Sequence, residues 1–329
     1  MNLPFSTIIS DSLAKAKTWL DQDELVAIPT ETVYGLAGNA LKSDVLSKIF
    51  HVKARPDNHP LILHIANIDQ VNKYVTEISY IESLLMESFW PGPLTLLIDK
   101  SEAVPNELTG GRKKVGIRIP DHELTLRLIQ SLDYPLAAPS ANPFGYISPT
   151  SAQHVFDQMS GKIPHILDGG DCSRGIESTI VEVQGDWCLI HRLGALSLED
   201  IQLVCPNIKD LSAETEIHET SGQMPWHYAP QKRLYLDRHE MLSSASPSLK
   251  IGYISFRGEI TNEHIYQSCL SPSGNLEEAG RNLFLALRKI DNSEVDFIVA
   301  ESVPNIGIGR AINERLRKAA AKTKKAQIS

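Results

Sequence analysis

Cations and hydroxyls, without a nucleophile paired to a base, are the chemically capable groups of this chain. In HVKARPDNHPLILHI (His51–Ile65), Lys53 and Arg55 end a helical pattern and Pro56 pins them. Lysine offers a point charge and arginine a planar fork, so the pair suits phosphate or carboxylate. A cationic helix C-terminus that complements the macrodipole is the other role open to them. His64 lies in the apolar run LILHI, where a satisfied core histidine is the ordinary role. Arg118 stands mid-strand in VGIRIPDH, and a buried guanidinium is costly unless an anion pairs with it, which makes it the stronger ligand candidate. In PTETVYGLAG, Thr30, Thr32 and Tyr34 follow a strand end and precede two glycines, a pattern that suits a small polar ligand or a helix cap. LAAPSANPFGYISPTSAQHV supplies small residues around Pro139, with Ser140 and Asn142, then Ser148 as a helix cap beside which an anion is favoured. DGGDCSRGIESTIVEV adds a glycine turn and Ser178-Thr179. Together these describe a cleft for an anionic nucleotide and a small zwitterion.

The elements that must position these groups alternate. Strands are expected at Glu24–Pro29, Leu61–Ala66, Leu94–Ile98, Val115–Ile119, Leu136–Ala138, Ile166–Asp168, Ser178–Val183 and Leu189–Leu193. Helices are expected over Ser10–Asp21, from a cap at Ser43 to Lys53, over Ile78–Phe89, and from Ser148 with Pro149 as first helical residue. The fold class is α/β, with a mixed sheet because several connections are too short for a crossover. From about Ile208 to Met224 both periodicities fade, which reads as a linker. A small second α/β unit follows: strand Lys250–Phe256, helix Asn275–Ile290, strand Val295–Ala300 and helix Ile308–Ala321.

Composition narrows the partners. Lys and Arg number 32 against 40 Asp and Glu, a net charge of −8, which is the wrong sign for binding nucleic acid over the whole surface. Near the end Arg310, Arg315, Arg317, Lys318, Lys322, Lys324 and Lys325 face only Glu314; the run reads as a solvated helix face, leaving at most a weak or indirect RNA contact. Cys172, Cys188, Cys205 and Cys269 form no C-x-x-C pair and read as reduced thiols of a cytoplasmic protein. No basic leader and no membrane-spanning run of ~20 apolar residues is present. There is no P-loop, H-E-x-x-H or G-x-S-x-G, and the lone G-x-G at Gly307 and Gly309 reads as a strand-to-helix turn.

PTETVYGLAG, KARPDNHPL, WPGPLT, VGIRIPDH, AAPSAN, DGG with GIESTIV, and HRLGA, in that order over roughly residues 8 to 200, closely resemble the YrdC/Sua5 family, the L-threonylcarbamoyladenylate synthases. HYAP (His227–Pro230) and GIGRAINERLRKAA resemble its longer, two-domain Sua5 form. The resemblance implies a YrdC-like twisted mixed sheet over residues 1–204, a linker or lid over 205–232 and a Rossmann-like Sua5 domain over 233–329. It also implies a reaction: L-threonine, bicarbonate or CO2, and ATP give threonylcarbamoyl-AMP and pyrophosphate. That is the first step toward N6-threonylcarbamoyladenosine at position 37 of tRNAs reading ANN codons, with a tRNA threonylcarbamoyl transferase complex downstream. Threonine's own amine is then the nucleophile, and Mg²⁺ arrives with ATP, held by phosphates and water rather than by protein ligands.

Carried over residue by residue, Thr32, His64, Arg118, Ala138 and Ser178 match threonine-contacting positions. Arg55, His59, Lys114, Ser140, Asn142, Ser148 and Arg192 match nucleotide-contacting ones, and Tyr228 matches a residue that reaches back over the nucleotide. Lys53 and Arg55 are the implied catalytic pair, binding triphosphate or bicarbonate. His59 replaces the family's usual Asn, Lys114 a frequent Thr and Gln223 a usual Gly. An RNA-binding or ribosome-maturation factor without turnover is the alternative; the net charge and the lack of interleaved aromatic and basic residues weigh against it. A carbamoyltransferase of the hydrogenase-maturation type would carry Cys-rich zinc motifs that are missing here.

Overall fold

Two units make up the computed structural model, which describes residues 5–212, 228–237, 249–258 and 265–325. One comprises Met1–Phe144, Pro149–Ser173 and Glu177–Gln223; the other Gly145–Ser148, Arg174–Ile176 and Met224–Ser329. No helix among the described residues is long and apolar enough to cross a membrane.

In the first unit the described strands are β1 (Ile8–Ser10), β2 (Val26–Ile28), β3 (Gly35–Asn39), β4 (Ile62–His64), β5 (Leu94–Asp99), β6 (Lys114–Arg118), β7 (Leu136–Ala137), β8 (His165–Leu167), β9 (Thr179–Gln184), β10 (Trp187–Arg192) and β11 (Asn207–Asp210). They form one sheet in the order β1-β8-β2-β3-β7-β4-β6-β5-β9-β10-β11. The sheet is mixed as expected: β4 runs parallel to β6, whereas β5 runs antiparallel to β6 and β7 antiparallel to β3 and β4.

Local chemistry explains the helix ends. Ser12 caps Leu13–Asp21 by accepting from the Lys15 amide, and Ala16 and Leu20 of that helix pack on Val26, Ile28 and Leu167 of the sheet. Ser79 and Glu82 form a capping box on Tyr80–Phe89, which ends before Pro91. Helix Ser43–Lys53 packs closely on β3, because a Cβ on Gly38 would lie 2.6 Å from Val45 and 2.9 Å from Leu25.

Four expectations are corrected. Ser43 is the first helical residue rather than the cap; Lys42 holds the cap position and makes no side-chain cap bond. The helix expected from Ser148 begins at Ala152, capped by Ser151, since that serine accepts from the His154 amide while Pro149 has no amide to offer. The glycines of PTETVYGLAG lie in a strand, β3, where none was expected, pairing with β2 and β7. Asn207–Asp210, inside or beside the aperiodic tract, is an edge strand parallel to β10, held by backbone pairing that needs no side-chain period. The rest of the expected linker, residues 213–227 with Gln223 and His227, lies outside the described residues.

The second unit contains β12 (Arg233–Leu236), β13 (Ile251–Ser255), β14 (Ile265–Cys269) and β15 (Phe297–Ala300) in the all-parallel order β12-β15-β13-β14. Helices Leu276–Asp291, capped by Asn275, and Gly309–Lys325 accompany them. The cationic tail is corrected at Arg315: it is fully buried, 2.8 Å from Glu314, with its guanidinium over the Tyr228 ring.

Candidate active site

Strand register gathers the first group of candidates. β4 and β6 pair His64 with Arg118 and Ile62 with Gly116, and side chains two residues apart share a face, so Lys114, Gly116 and Arg118 line one side of the sheet with His64. Leu97 of β5 pairs with Gly116, and Glu182 of β9 pairs with Leu97, which extends the same face across two more strands. A pocket of about 500 Å³ opens on it, lined by Pro60, Leu97, Lys114, Gly116, Glu182 and Gln184 among others.

At the Arg118 end the loop before β3 closes in. Thr30 accepts from the amides of Thr32 and Val33, each at 3.1 Å, and lies 2.8 Å from the Thr32 hydroxyl. Arg118 is held on three sides: Nε donates to the Gly92 carbonyl (3.1 Å), one terminal nitrogen donates to Thr32 Oγ1 (3.0 Å), and the other lies 2.6 Å from Glu31 Oε1. Of five guanidinium N–H groups, the remaining ones stay available for a ligand carboxylate. His64 Nδ1 faces the Ile62 carbonyl at 3.1 Å, an acceptor only, so Nδ1 donates and Nε2 keeps its lone pair. Burial and the neighbouring Arg118 charge push the imidazole down to about 3, so it is neutral near pH 7.

Ser178 and Arg192 form a second group. Arg192 donates to the Ser178 carbonyl through Nε (3.1 Å) and Nη2 (2.9 Å) and to its hydroxyl through Nη2 (3.0 Å). Ser178 Oγ lies 2.8 Å from Thr95 Oγ1 on β5. Thus an expected threonine contact and an expected nucleotide contact are one hydrogen-bonded unit.

The third group is built by the chain reversal at Ala54, which caps its helix in the left-handed region at φ 50° and sends Lys53 and Arg55 different ways. Lys53, 1% exposed, donates to the carbonyls of Ser140 and Asn142, the latter at 2.5 Å. Burial and the Arg55 charge hold its ammonium well below the usual lysine range. Arg55 donates to the Pro60 carbonyl (3.0 Å) and lies over the Phe144 ring at 5.6 Å, while His59 meets the same ring edge-on at 5.3 Å. Backbone bonds from Leu36 to Pro139 and from Ala141 to Tyr34 lace the small-residue segment to the threonine loop. A Cβ on Gly35 would come 3.1 Å from that of Ala138, so the close approach requires small residues on both sides.

Lys114 sits 3.6 Å from both Asp99 and Glu182. Burial alone would raise the Glu182 carboxyl, but hydrogen bonds from His191 and Gln184 and the Lys114 charge hold it down to about 2. Two expected nucleotide residues fall in the second unit. Ser148 is fully buried, its carbonyl accepting from Arg288 Nε at 3.3 Å, and Tyr228 is stacked on Phe284 at 5.6 Å. Sequence reasoning passed over Glu31, Thr95, Phe144 and the Glu182–His191 pair. Glu31, an acid between two threonines in a motif already singled out, carried a usable signal; Thr95 and the Glu182–His191 pair emerge only from strand register, and Phe144 only from its packing against Arg55 and His59.

The family model for Sua5, YciO and YrdC, described as telomere recombination, matches residues 18–194, and the model for the threonylcarbamoyl-AMP synthase C-terminal domain matches residues 196–321. The chain belongs to the two-domain Sua5 branch of the YrdC/Sua5 family. It is 39% identical to a threonylcarbamoyl-AMP synthase of Pyrococcus abyssi over 92% of each chain, and 38% identical to that of Bacillus subtilis over 94% of this chain and 92% of the relative. The crystal structure of P. abyssi Sua5 complexed with L-threonine superposes with a TM-score of 0.87 at 36% identity, covering 97% of this Sua5 chain and 98% of that one. Escherichia coli YciO, at 19% identity and a TM-score of 0.51 over 58% of this chain, shares the fold of the first unit.

Proposed function

We infer that this Sua5-family chain is a threonylcarbamoyl-AMP synthase, a nucleotidyltransferase that condenses L-threonine, bicarbonate or CO2, and ATP into L-threonylcarbamoyladenylate and pyrophosphate. The observation that carries this reading is full-length similarity: 39% identity over 92% of both chains to an enzyme of that name, across both domains. Arg118, fixed on three sides, takes the threonine carboxylate, with Thr32, His64, Ala138 and Ser178 around the rest of the amino acid. Arg55, His59, Lys114, Ser140, Asn142, Ser148, Arg192 and Tyr228 serve the nucleotide, and Lys53 with Arg55 offsets the charge of triphosphate and bicarbonate. Two steps follow: the threonine amine gains a carboxyl group, and the resulting carbamate oxygen attacks the α-phosphate of ATP, expelling pyrophosphate. Because the substrates provide nucleophile and leaving group, the chain's work is positioning and electrostatic stabilisation. Mg²⁺ enters as part of the ATP substrate. The adenylate passes to a tRNA threonylcarbamoyl transferase complex for t6A formation.

Pyrophosphate release from ATP, measured with and without L-threonine and bicarbonate, tests the reading. Release that depends on both supports it; release indifferent to threonine, or RNA binding without any turnover, refutes it. In the same reading the segment between β11 and β12 acts as a lid, so ATP with threonine protects it from a protease; equal cleavage with and without ligands counts against a lid.

A further inference from the structure

Glu31 stands between the two threonines of the PTETVYG loop and is 4% exposed. Its Oε1 lies 2.6 Å from a terminal nitrogen of Arg118, an ion pair in which both side chains are at least 95% buried, at 5% and 3% exposure. Among the described residues, no donor is aligned for a hydrogen bond to either carboxylate oxygen, and Oε2 has no partner at all. A buried carboxylate oxygen without a donor is unfavourable, so the arrangement suits a ligand that brings a charged N–H group.

The reading above puts the threonine carboxylate on Arg118, and this inference rests on it. In an α-amino acid the ammonium is one carbon from the carboxylate, so docking on Arg118 carries the ammonium to the groups packed around that guanidinium. These are the Thr32 hydroxyl and the Gly92 carbonyl, which already accept from Arg118, the neutral His64 imidazole and Glu31. The Cys172 thiol also faces Glu31 and Arg118, and burial pushes it up, so it stays protonated. Glu31 is the one group of this set with a negative charge.

We propose that Glu31 is a catalytic residue of the carbamoylation step, its carboxylate receiving the α-ammonium of threonine and taking one proton from it. The ammonium becomes a free amine and Glu31 a carboxylic acid. The amine lone pair then forms the C–N bond to the bicarbonate carbon while the C–OH bond breaks, and the departing hydroxide leaves as water with a second amine proton. The product carbamate carries one negative charge, and Glu31 returns its proton to solvent. Arg118 favours the neutral amine by placing a second positive charge beside the ammonium.

The test compares the full chain with Glu31→Gln and Glu31→Asp, following threonine-dependent pyrophosphate release from pH 6.5 to 9.5 at saturating ATP and inorganic carbon. A lost general base lowers the rate by about 100-fold or more near pH 7. For Glu31→Gln, kcat/KM for threonine should then rise about tenfold per pH unit as free threonine loses its own proton, closing the gap to wild type at high pH. Glu31→Asp should keep the wild-type pH profile at a reduced rate, and it carries the test if the glutamine variant does not fold. A loss of the same factor at every pH, as expected if Glu31 merely braces Arg118, overturns the proposal, as does unchanged activity. Wild-type pyrophosphate release that ignores threonine overturns the synthase reading as well, so the two failures are distinct.

Discussion

Replacing Lys53 with Met separates a structural peg from an anion site. The methionine keeps most of the buried stem but removes the donors to the Ser140 and Asn142 carbonyls. Two buried acceptors left without donors cost about 1–3 kcal/mol each. Against that, the lysine is 1% exposed, and burial and Arg55 are what act on its charge, so removing it relieves a desolvation penalty of several kcal/mol. The two terms offset, and the ligand-free variant should differ from wild type by less than about 2 kcal/mol. Nucleotide binding should change far more. A charge-assisted hydrogen bond to phosphate contributes about 1.5–3 kcal/mol, or roughly 10- to 150-fold in Kd. With ATP at about 100 times the wild-type Kd, ligand stabilisation is ~2.7 kcal/mol in the parent and about 0.3–1.4 kcal/mol in the variant. At about 2–4 °C per kcal/mol for a domain this large, an ATP-induced rise of roughly 5–11 °C should shrink to about 1–6 °C. Scanning calorimetry with and without ATP, beside pyrophosphate release, measures both quantities. A full ATP shift in Lys53→Met, or a ligand-free loss above about 4 kcal/mol, would refute the anion-site argument.

Gly38→Ala should destabilise the fold by about 1–3 kcal/mol in urea unfolding, because its new Cβ meets Val45 at 2.6 Å and Leu25 at 2.9 Å across a packed helix–strand contact. Arg118→Lys loses the planar fork and should raise KM for threonine by about 10- to 100-fold while leaving KM for ATP within about twofold, read from initial rates of pyrophosphate release. Both His64 and His165 resist protonation in the fold, through burial first and then the charges of Arg118 and Lys15 respectively. The unfolded chain therefore binds more protons below about pH 6.5, and stability falls with pH by up to ~1.4 kcal/mol per unit for each histidine, continuing toward about 3 for His64. His165 is fully buried and neither ring nitrogen has a hydrogen-bond partner among the described residues, so His165→Leu should raise stability at pH 7.5 and roughly halve that slope in urea titrations.

Part of the candidate site could be read from residue type because charge in an apolar run is conspicuous, whereas Ala138, Lys114, Arg192 and Tyr228 came only through the family resemblance. Arg118 stood out in this way, and its register partner His64 lay in a second such run. The alternation of helices with apolar runs was enough to anticipate the mixed sheet. What stayed hidden depended on tertiary pairing. β3, with two glycines among five residues, has no strand composition and exists because β2 and β7 flank it. β11 is polar and mostly exposed, so no alternation marks it. Phe144 looked like a loop residue until Arg55 and His59 were both found against its ring. Arg118 and Glu31, separated by 87 positions in the chain, show the limit most clearly: the cost of a buried guanidinium predicted an anion, but only the fold identified one of the anions as the protein's own.

The strand order has a consequence for how the polypeptide comes into being on the ribosome. β8 lies between β1 and β2, and β7 between β3 and β4, so neighbours in the sheet are separated by up to 157 residues of chain, as Ile8 is from His165. The nascent N-terminal third therefore emerges with sheet edges that nothing yet covers, and closure waits for His165–Leu167 to leave the exit tunnel. Folding dominated by such distant pairings is slow, and exposed edges invite pairing with another chain. Translation speed and chaperone supply, more than the final stability of the finished sheet, should set the yield of active protein.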